Sequence, residues 1–190
     1  MVHQSEEMVQ YWLACDTGDV LANVYPVFPG IVAVYLDASA SECSVNPEHV
    51  RQNILEIEYC RQGQIARPAD DASFGLSAGN VAVRHFDMEN HGLSFPLNHY
   101  QGITIVIDLE RCKECLSALM TDLEADPAAI LEKFHLEEAG VRILCRNPNV
   151  EYVFSELYDV PEPIRKGYLR LKITELILLL MHLDLSGNAL

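Results

Sequence analysis

The segment Ile103-Thr104-Ile105-Val106-Ile107 decides the fold of this chain, because it is the strongest β-strand candidate in the sequence. All of its residues are β-branched, and such side chains favour extended backbone. A second candidate runs from Ile54 to Arg61 and alternates between two faces. One face carries Leu55, Ile57 and Tyr59, and the other carries Glu56, Glu58 and Cys60. This period of two residues predicts a strand that places one face in a core.

Shorter strand candidates surround these two segments and are separated by turn signals. Pro29-Gly30 follows Val27-Phe28 and precedes the apolar run Ile31–Tyr35. Gln62-Gly63 predicts a hairpin that returns through residues 64–66. Further candidates are Phe74–Leu76, Val81–Phe86 and Leu93–Leu97. Several short strands at this spacing predict an antiparallel barrel or sandwich rather than a parallel α/β sheet.

The pattern changes near residue 110, beyond which helical periodicity dominates. A first helix is predicted from Leu109 or Glu110 to Leu123, and a last helix from Ile164 to Leu185. Asp126-Pro127 and Asn147-Pro148 each place a capping side chain before a proline, which indicates a helix start. Residues 141–145 fit either a strand or a helix. The sequence therefore predicts an α+β fold, with a barrel over residues 1–110 and a helical region over residues 111–190 packed on it.

The last predicted helix carries two apolar stripes. The first is a heptad seam of Leu169, Ile173, Leu176, Leu180 and Leu183. The second lies on another face and consists of Ile164, Tyr168, Leu171 and Leu178. Two stripes predict that one packs on the domain while the heptad seam forms a homodimer interface. The alternative is a single wide face that is buried in the chain's own core.

The acidic composition excludes two classes of partner. Of the 190 residues, 28 are Asp or Glu and 13 are Lys or Arg, which gives a formal net charge of −15. Nucleic-acid binding and binding to anionic membranes both depend on basic surface, so neither is expected of this chain. Glu6 and Glu7 stand where a signal peptide needs basic residues, and no apolar run is long enough to span a bilayer. A cytoplasmic protein without membrane contact is predicted.

The six cysteines are predicted to be reduced thiols, because an intracellular domain with a full-sized core does not need disulfides. Cys112 and Cys115 form a lone CxxC pattern, whereas a zinc site of this type needs a second pair. We expect these two residues to lie one helical turn apart and to pack as small apolar groups.

No catalytic site, metal site or cofactor is predicted, and an enzymatic function is not expected. Gly75-Leu76-Ser77-Ala78-Gly79 matches the nucleophile-elbow pattern of hydrolases. A strand rather than a helix is predicted to follow it, so a turn between strands is the better interpretation. His85, His91 and His99 fall among the strands, but without the closely spaced pair that a barrel metal site commonly uses.

Several segments resemble regulators of the AraC/XylS family. They are residues 151–168 (EYVFSELYDVPEPIRKGY), residues 59–64 (YCRQGQ), and the blocks Phe95–Leu97, His99–Ile103 and Ile107–Glu110. The resemblance implies an effector-binding and dimerisation domain, built as a cupin-like β-barrel followed by helices. It also implies that DNA is contacted only through a helix-turn-helix domain that lies outside this sequence. Gln62 and Gln64 depart from the family's usual Glu and Arg.

The resemblance further implies that a small-molecule effector binds inside the barrel, in a mostly apolar pocket with a few polar groups. The candidate ligand-binding residues lie on the predicted strands: Phe28, Tyr35, Glu58, Cys60, Arg61, His85, Phe95, His99 and Tyr100. Arg61 fits either a contact to an acidic ligand or an edge salt bridge. Trp12 is expected to plug the core, or else to close over the pocket. The alternative functions are a small cupin-type metal-dependent enzyme and a freestanding dimeric binding module.

Overall fold

The computed structural model describes residues 2–4, 8–44, 51–68, 73–88, 92–114, 118–136 and 140–185. Several positions considered in the sequence analysis lie outside these ranges. They include Glu6, Glu7, His91 and Cys115.

The described residues form eleven β-strands, which pair antiparallel throughout. In chain order they are β1 (Val2–Gln4), β2 (Val9–Cys15), β3 (Gly18–Phe28), β4 (Ile31–Ser39), β5 (Glu42–Ser44), β6 (Arg51–Pro68), β7 (Ser73–Ser77), β8 (Asn80–Met88), β9 (Gly92–Ser94), β10 (Tyr100–Asp108) and β11 (Gly140–Cys145). The main order is β1-β2-β3-β4-β10-β6-β8-β11, while β7 and β9 pair with the far part of β6 and β5 pairs with β9. The strand predicted from the β-branched run is β10, at the centre of this order.

Strand β6 bends at Gly63 and thereby curls the sheet into a half-barrel. Its first part pairs with β8 and β10, and its last part, from Gln64 to Pro68, pairs with β7. Gly63 has a φ of +78°, and a Cβ there would lie 2.0 Å from the carbonyl oxygen of His99. The predicted hairpin at Gln62-Gly63 is therefore wrong, because glycine lets one strand turn a corner without reversing its direction.

The helices follow the strands along the chain. They are α1 (Leu109–Glu114), α2 (Ala118–Asp122), α3 (Ala128–Phe134), α4 (Pro148–Tyr158) and α5 (Arg165–His182), with a short 3-10 helix at Glu162–Ile164. Both predicted capping signals hold. Asp126 accepts a hydrogen bond from the backbone N–H of Ala128, and Asn147 accepts one from that of Val150. Residues 141–145, which fit either structure, lie in strand β11.

A large apolar core lies between the convex face of the sheet and the helices. Strands contribute Leu55, Ile57, Ile103, Ile105 and Ile107, among others, and the helices contribute Ile130, Phe154 and Ile177. Leu169, Ile173, Leu176 and Leu180 of the heptad seam are also in this core, each at most 2% exposed, and Leu183 packs against it. The seam is thus internal packing, which corrects its assignment as a free dimer surface: a side chain that the sheet covers cannot meet a partner.

Strand β11 returns from the helical region to the sheet, where it pairs with β8 over Gly140–Cys145. The predicted helical region over residues 111–190 thus supplies one strand of the half-barrel. It also shares the convex-side core with the strands of residues 1–110. The α+β class, with an antiparallel curled sheet followed by helices, is confirmed. Among the helices of the described ranges, none combines the length and apolar character needed to cross a membrane.

A disulfide joins Cys15, at the end of β2, to Cys43 in β5. This corrects the prediction that all the thiols are reduced. The two residues meet because the β2–β3 turn lies against β5, where the Thr17 hydroxyl accepts hydrogen bonds from the backbone N–H groups of Ser41 and Glu42. The Cα atoms of the two cysteines are 5.4 Å apart, within the range that a disulfide spans.

Candidate functional site on the concave face

The concave face of the half-barrel is the side of the sheet that the helices leave uncovered. Strand register places its side chains in rows across the strands. One row passes from Val34 on β4 through Thr104 on β10 to Glu58 on β6. The neighbouring row passes from Val32 through Val106 and Glu56 to Arg84 on β8. Both rows combine apolar and charged side chains on one surface.

A quartet of charged residues lies at the centre of this face: Glu56, Glu58, Arg67 and Arg84. Arg84 donates from Nε (3.1 Å) and Nη2 (2.6 Å) to Glu56 Oε2. Arg67 donates from Nε to Glu58 Oε2 (3.1 Å) and from Nη2 to Glu58 Oε1 (3.0 Å). The Arg67 Nη2 atom also lies 3.8 Å from Glu56 Oε1, which links the two pairs. Glu58 is 1% exposed, Glu56 6% and Arg84 8%.

The electrostatics of the quartet favour the charged forms of Glu56 and Arg67. Burial alone would raise the pKa of Glu56, but the neighbouring guanidinium groups of Arg67 and Arg84 outweigh it and lower that pKa below its ordinary value. Burial likewise opposes the charge on Arg67, but Glu56 and Glu58 raise its pKa. Two carboxylates and two guanidinium groups therefore leave the quartet with no net charge.

Next to the quartet, the side chains of Phe95, Tyr100 and Cys60 pack closely together and form the floor of the half-barrel. The Tyr100 hydroxyl donates to Glu58 Oε1 (3.0 Å), and its ring stacks on Phe95 with centroids 5.8 Å apart. Burial, followed by the charge of Glu58, raises the pKa of Tyr100 well above its ordinary value and that of Cys60 to about 12. Both groups therefore stay neutral at physiological pH.

Apolar side chains surround the quartet and remain partly accessible. By register, the same face carries the half-buried residues Val24, Val32, Val34, Leu36, Phe86 and Val106. The guanidinium carbon of Arg84 lies 3.9 Å from the centroid of the Phe86 ring. An accessible apolar lining with a few fixed polar groups is the composition of a small-molecule site.

Four of the nine predicted ligand-binding residues lie on the concave side. Glu58, Cys60, Phe95 and Tyr100 are there, within or beside the charged quartet and the floor. Whether they contact a ligand stays a prediction.

Three other predicted ligand-binding residues lie on the opposite, convex face. Phe28 and Tyr35 pack against the helix-side core, where the Tyr35 hydroxyl donates to the carbonyl oxygen of Leu157 (2.8 Å). His85 pairs through Nδ1 with the carbonyl oxygen of Leu136 (2.7 Å) and through Nε2 with Asn53 (3.0 Å). Their inclusion in a barrel-lined pocket is corrected, because alternation along each strand turns them towards the helices.

The last two predicted ligand-binding residues lie at the periphery. Arg61 is exposed and stacks over the Tyr158 ring at 4.1 Å. It forms no ion pair with another described residue, so the predicted edge salt bridge is absent there, while its contact to an acidic ligand stays a prediction. His99 is half-buried and pairs with Gln62 at 3.3 Å. Trp12 is 49% exposed and donates from Nε1 to Asp19 (3.2 Å), so it does not plug the core.

Sequence reasoning missed Glu56, Arg67, Arg84 and Thr104. The alternation along β6 puts Glu56 on the same face as Glu58, and the alternation along β8 puts Arg84 on the face opposite to His85. Glu56 and Arg84 could therefore have been predicted from the sequence. Arg67 gave no such signal, because it reaches the quartet only after the bend at Gly63. Within the described residues, no group of three His, Cys, Asp or Glu side chains is placed to hold a metal ion.

No family model and no curated protein matches this chain. Among solved structures, the AraC-like transcriptional activator CuxR is similar at 13% identity and a TM-score of 0.45, over 84% of this chain and 56% of CuxR. The EutQ protein of Clostridium difficile is 13% identical with a TM-score of 0.39, over 53% of this chain and 70% of EutQ. KdgF of Halomonas sp. is 19% identical with a TM-score of 0.38, over 47% of this chain and 78% of KdgF. The chain thus spans little more than half the length of CuxR.

Proposed function

We propose that this chain is the effector-sensing and dimerisation domain of an AraC/XylS-type transcriptional regulator. It binds a small molecule on the concave face and controls DNA binding by a domain that lies outside this sequence. The observation that carries the proposal is the uncovered concave face, where a buried charged quartet is set among partly accessible apolar side chains. The resemblance of residues 59–64 and 151–168 to this family supports the assignment.

The strands that carry the concave face also pack against the helices on their other side, so a change on the concave face can be transmitted to the helices. On β6, Glu56 and Glu58 face the concave side while Leu55 and Ile57 lie in the core beneath the helices. A ligand with different affinities for two arrangements of these strands would shift the helices that pack on them. That shift would change how two attached DNA-binding domains are presented.

Dimerisation is proposed through the second stripe of α5 instead of the heptad seam. Leu171 is 61% exposed, Ile164 is also exposed, and Tyr168 and Leu178 are half-buried. A groove of about 620 Å³ lies along this face, lined in part by Leu123, Leu171, Leu178 and Leu179. Exposed apolar surface of this kind is typical of an interaction site.

Reading the coding sequence past the codon for Leu190 tests the regulatory role. We expect an open frame of roughly a hundred basic residues with two helix-turn-helix patterns. A stop codon directly after Leu190 would contradict the DNA-reading role and favour a freestanding dimeric binding module. A thermal-shift screen of small metabolites against the purified chain tests the sensing role separately, and a screen without hits on the concave face would contradict it.

A further inference from the structure

The Cys15–Cys43 disulfide joins a strand of the main sheet to a small two-stranded ribbon. Cys15 ends β2, whereas Cys43 lies in β5, which pairs with β9. Strands β5 and β9 have three residues each and form the ribbon. Among the described residues, the ladder between the ribbon and β6 consists of one residue pair, Ala66 with Ser94. The position of the ribbon therefore depends on what holds β5 in place.

Besides the disulfide, hydrogen bonds of the Thr17 hydroxyl hold the β2–β3 turn on β5. The hydroxyl donates to the carbonyl oxygen of Glu42 (3.1 Å) and accepts from the backbone N–H groups of Ser41 and Glu42 (3.1 Å each). Thr17 and Glu42 are both exposed, so water competes for these bonds and each contributes little net stability. The disulfide is therefore the stronger of the two connections between the turn and β5.

The ribbon is connected to the charged quartet through the floor of the half-barrel. Cys43 is 5% exposed and belongs to the same buried cluster as Phe95 and Tyr100. Phe95 directly follows β9 and donates its backbone N–H to the carbonyl oxygen of Ser41, next to β5 (2.7 Å). Its ring stacks on that of Tyr100, and the Tyr100 hydroxyl donates to Glu58. A displacement of the ribbon therefore reaches the quartet through two side-chain contacts.

The two cysteines of the disulfide differ in exposure. Cys15 is half-buried and packs against the edge of the floor cluster, whereas Cys43 is buried within it. Thiol–disulfide exchange begins when a thiolate reaches one of the two sulfur atoms, so an external thiol attacks at Cys15. Cys60 is a free thiol in the same cluster, but burial raises its pKa to about 12 and keeps it protonated. The reductant therefore has to come from outside the chain.

From these observations we propose that the Cys15–Cys43 disulfide is a redox-controlled link that regulates the concave face. A thiolate of an external dithiol attacks the Cys15 sulfur, the S–S bond breaks, and Cys43 leaves as a thiolate that takes up a proton. The second thiol of the reductant then displaces Cys15 from the mixed disulfide. The protein gains two electrons and two protons and ends with two thiols, while the reductant ends as a disulfide.

Reduction releases β5 from the β2–β3 turn and leaves the rest of the fold in place. The ladders that join β2, β3, β4 and β10 persist, and the large helix-side core contains neither Cys15 nor Cys43. A domain with a core of this size does not need a disulfide to fold. The ribbon and the floor loosen, and Tyr100 changes its contact with the quartet. The regulatory meaning of this change rests on the proposed small-molecule site, whereas the opening itself does not.

Hydrogen exchange of the full chain, with and without dithiothreitol and in the absence of denaturant, tests the opening. Peptide mapping after an acid quench shows whether Cys15 and Cys43 have become thiols. We expect both to be reduced in the native protein, and the amides of residues 42–44 and 93–95 to exchange about tenfold faster or more. Residues 103–107 of β10 should exchange equally in both forms. A disulfide that resists reduction until the protein unfolds, or a ribbon whose exchange does not change, would overturn the proposal.

Two substitutions assign the effect to this disulfide. Cys15→Ser removes the link at its half-buried end, so the ribbon should exchange fast without reductant and should not respond further to dithiothreitol. Cys145→Ser is the matched control, because Cys145 is a half-buried free thiol, and this variant should behave like the unmodified chain. Slow exchange of the ribbon in Cys15→Ser would contradict the proposal. The measurement on the unmodified chain is decisive even if Cys15→Ser does not fold.

A readout on the concave face separates this proposal from the proposed function. In protein with carbon-13-labelled tyrosine rings, reduction should shift the resonance of Tyr100 and leave that of Tyr35, on the helix side, unchanged. If the Tyr100 resonance does not shift, the disulfide does not regulate the concave face, whatever the metabolite screen finds. If it shifts and the screen of the oxidised chain finds no ligand, the redox-controlled link stands and the sensing function fails.

Discussion

Arg67 donates two parallel hydrogen bonds to Glu58, although both residues belong to the same strand and only nine positions separate them. The contact is possible because β6 bends at Gly63 and brings its last residues over its first part. The contact thereby joins the last part of β6, which pairs with β7, to its first part, which pairs with β10. The ion pair can form only because the strand bends, and it in turn stabilises the bend.

Arg67→Met should destabilise the fold by about 3–5 kcal/mol, because it leaves the buried Glu58 carboxyl group without its guanidinium partner. The free energy of unfolding in urea measures the effect. Lys113→Met is the control: it removes an exposed pair with Glu110 and should change stability by less than about 1 kcal/mol. A loss below about 1 kcal/mol for Arg67→Met would contradict the structural role of the bidentate contact.

Protonation of Glu56 should account for part of the loss of unfolding free energy in acid. Its pKa in the folded protein is below the ordinary value of 4.5, so its charged form stabilises the fold above that pH, and the contribution is lost as the pH falls through the folded pKa. Glu56→Gln should therefore cost more unfolding free energy at pH 7 than at pH 3. Glu132→Gln, on the exposed surface and without an ion pair among the described residues, should show little difference between the two pH values. An equal cost for Glu56→Gln at both would contradict the assignment.

Two glycine substitutions should act in opposite directions. Gly63→Ala places a Cβ where the carbonyl oxygen of His99 already lies and forces a left-handed conformation, so we expect a loss of about 2 kcal/mol or more. Gly167 lies in helix α5 with open space around it, and Gly167→Ala should stabilise the fold by about 0.5–1 kcal/mol. Thermal unfolding of the two variants measures both signs. A neutral Gly63→Ala would show that the bend does not need glycine.

A leucine-to-aspartate substitution should have different effects in the two apolar stripes of α5. Leu171→Asp, at an exposed position, should abolish self-association in sedimentation velocity and leave the circular dichroism spectrum unchanged. Leu176→Asp, at a fully buried position, should unfold the protein, because an unpaired carboxylate cannot be accommodated in the core. A Leu171→Asp variant that still forms dimers would contradict the proposed interface.

A run of β-branched residues and a period of two residues were sufficient to predict the two strands at the centre of the sheet, β10 and β6. Runs such as Ile103–Ile107 and Leu55–Tyr59 are buried on the helix side, and this burial repeats along the strand. The capping signals at Asp126 and Asn147 were equally reliable, because an N-cap is a local interaction between a side chain and the backbone three residues away or fewer. Both kinds of signal are contained in a few consecutive residues.

The parts that could not be predicted depend on contacts between distant segments. The quartet assembles from two parts of β6 and from β8, and only the bend at Gly63 makes Arg67 one of its members. The heptad seam of α5 has the same pattern whether it meets a partner helix or the chain's own sheet, so periodicity cannot distinguish the two. The Cys15–Cys43 pairing depends on the approach of the β2–β3 turn to β5, which no local pattern encodes.

The return of β11 to the sheet limits how the protein can be divided. A fragment that stops near residue 110 would lack the strand that covers β8, and the hydrogen-bonding groups of β8 over Asn80–His85 would be open to other chains. Such a fragment should aggregate edge to edge rather than behave as an isolated barrel. Practical work on this domain, such as excision, fusion or circular permutation, therefore has to keep residues 140–145 with the strands that precede them.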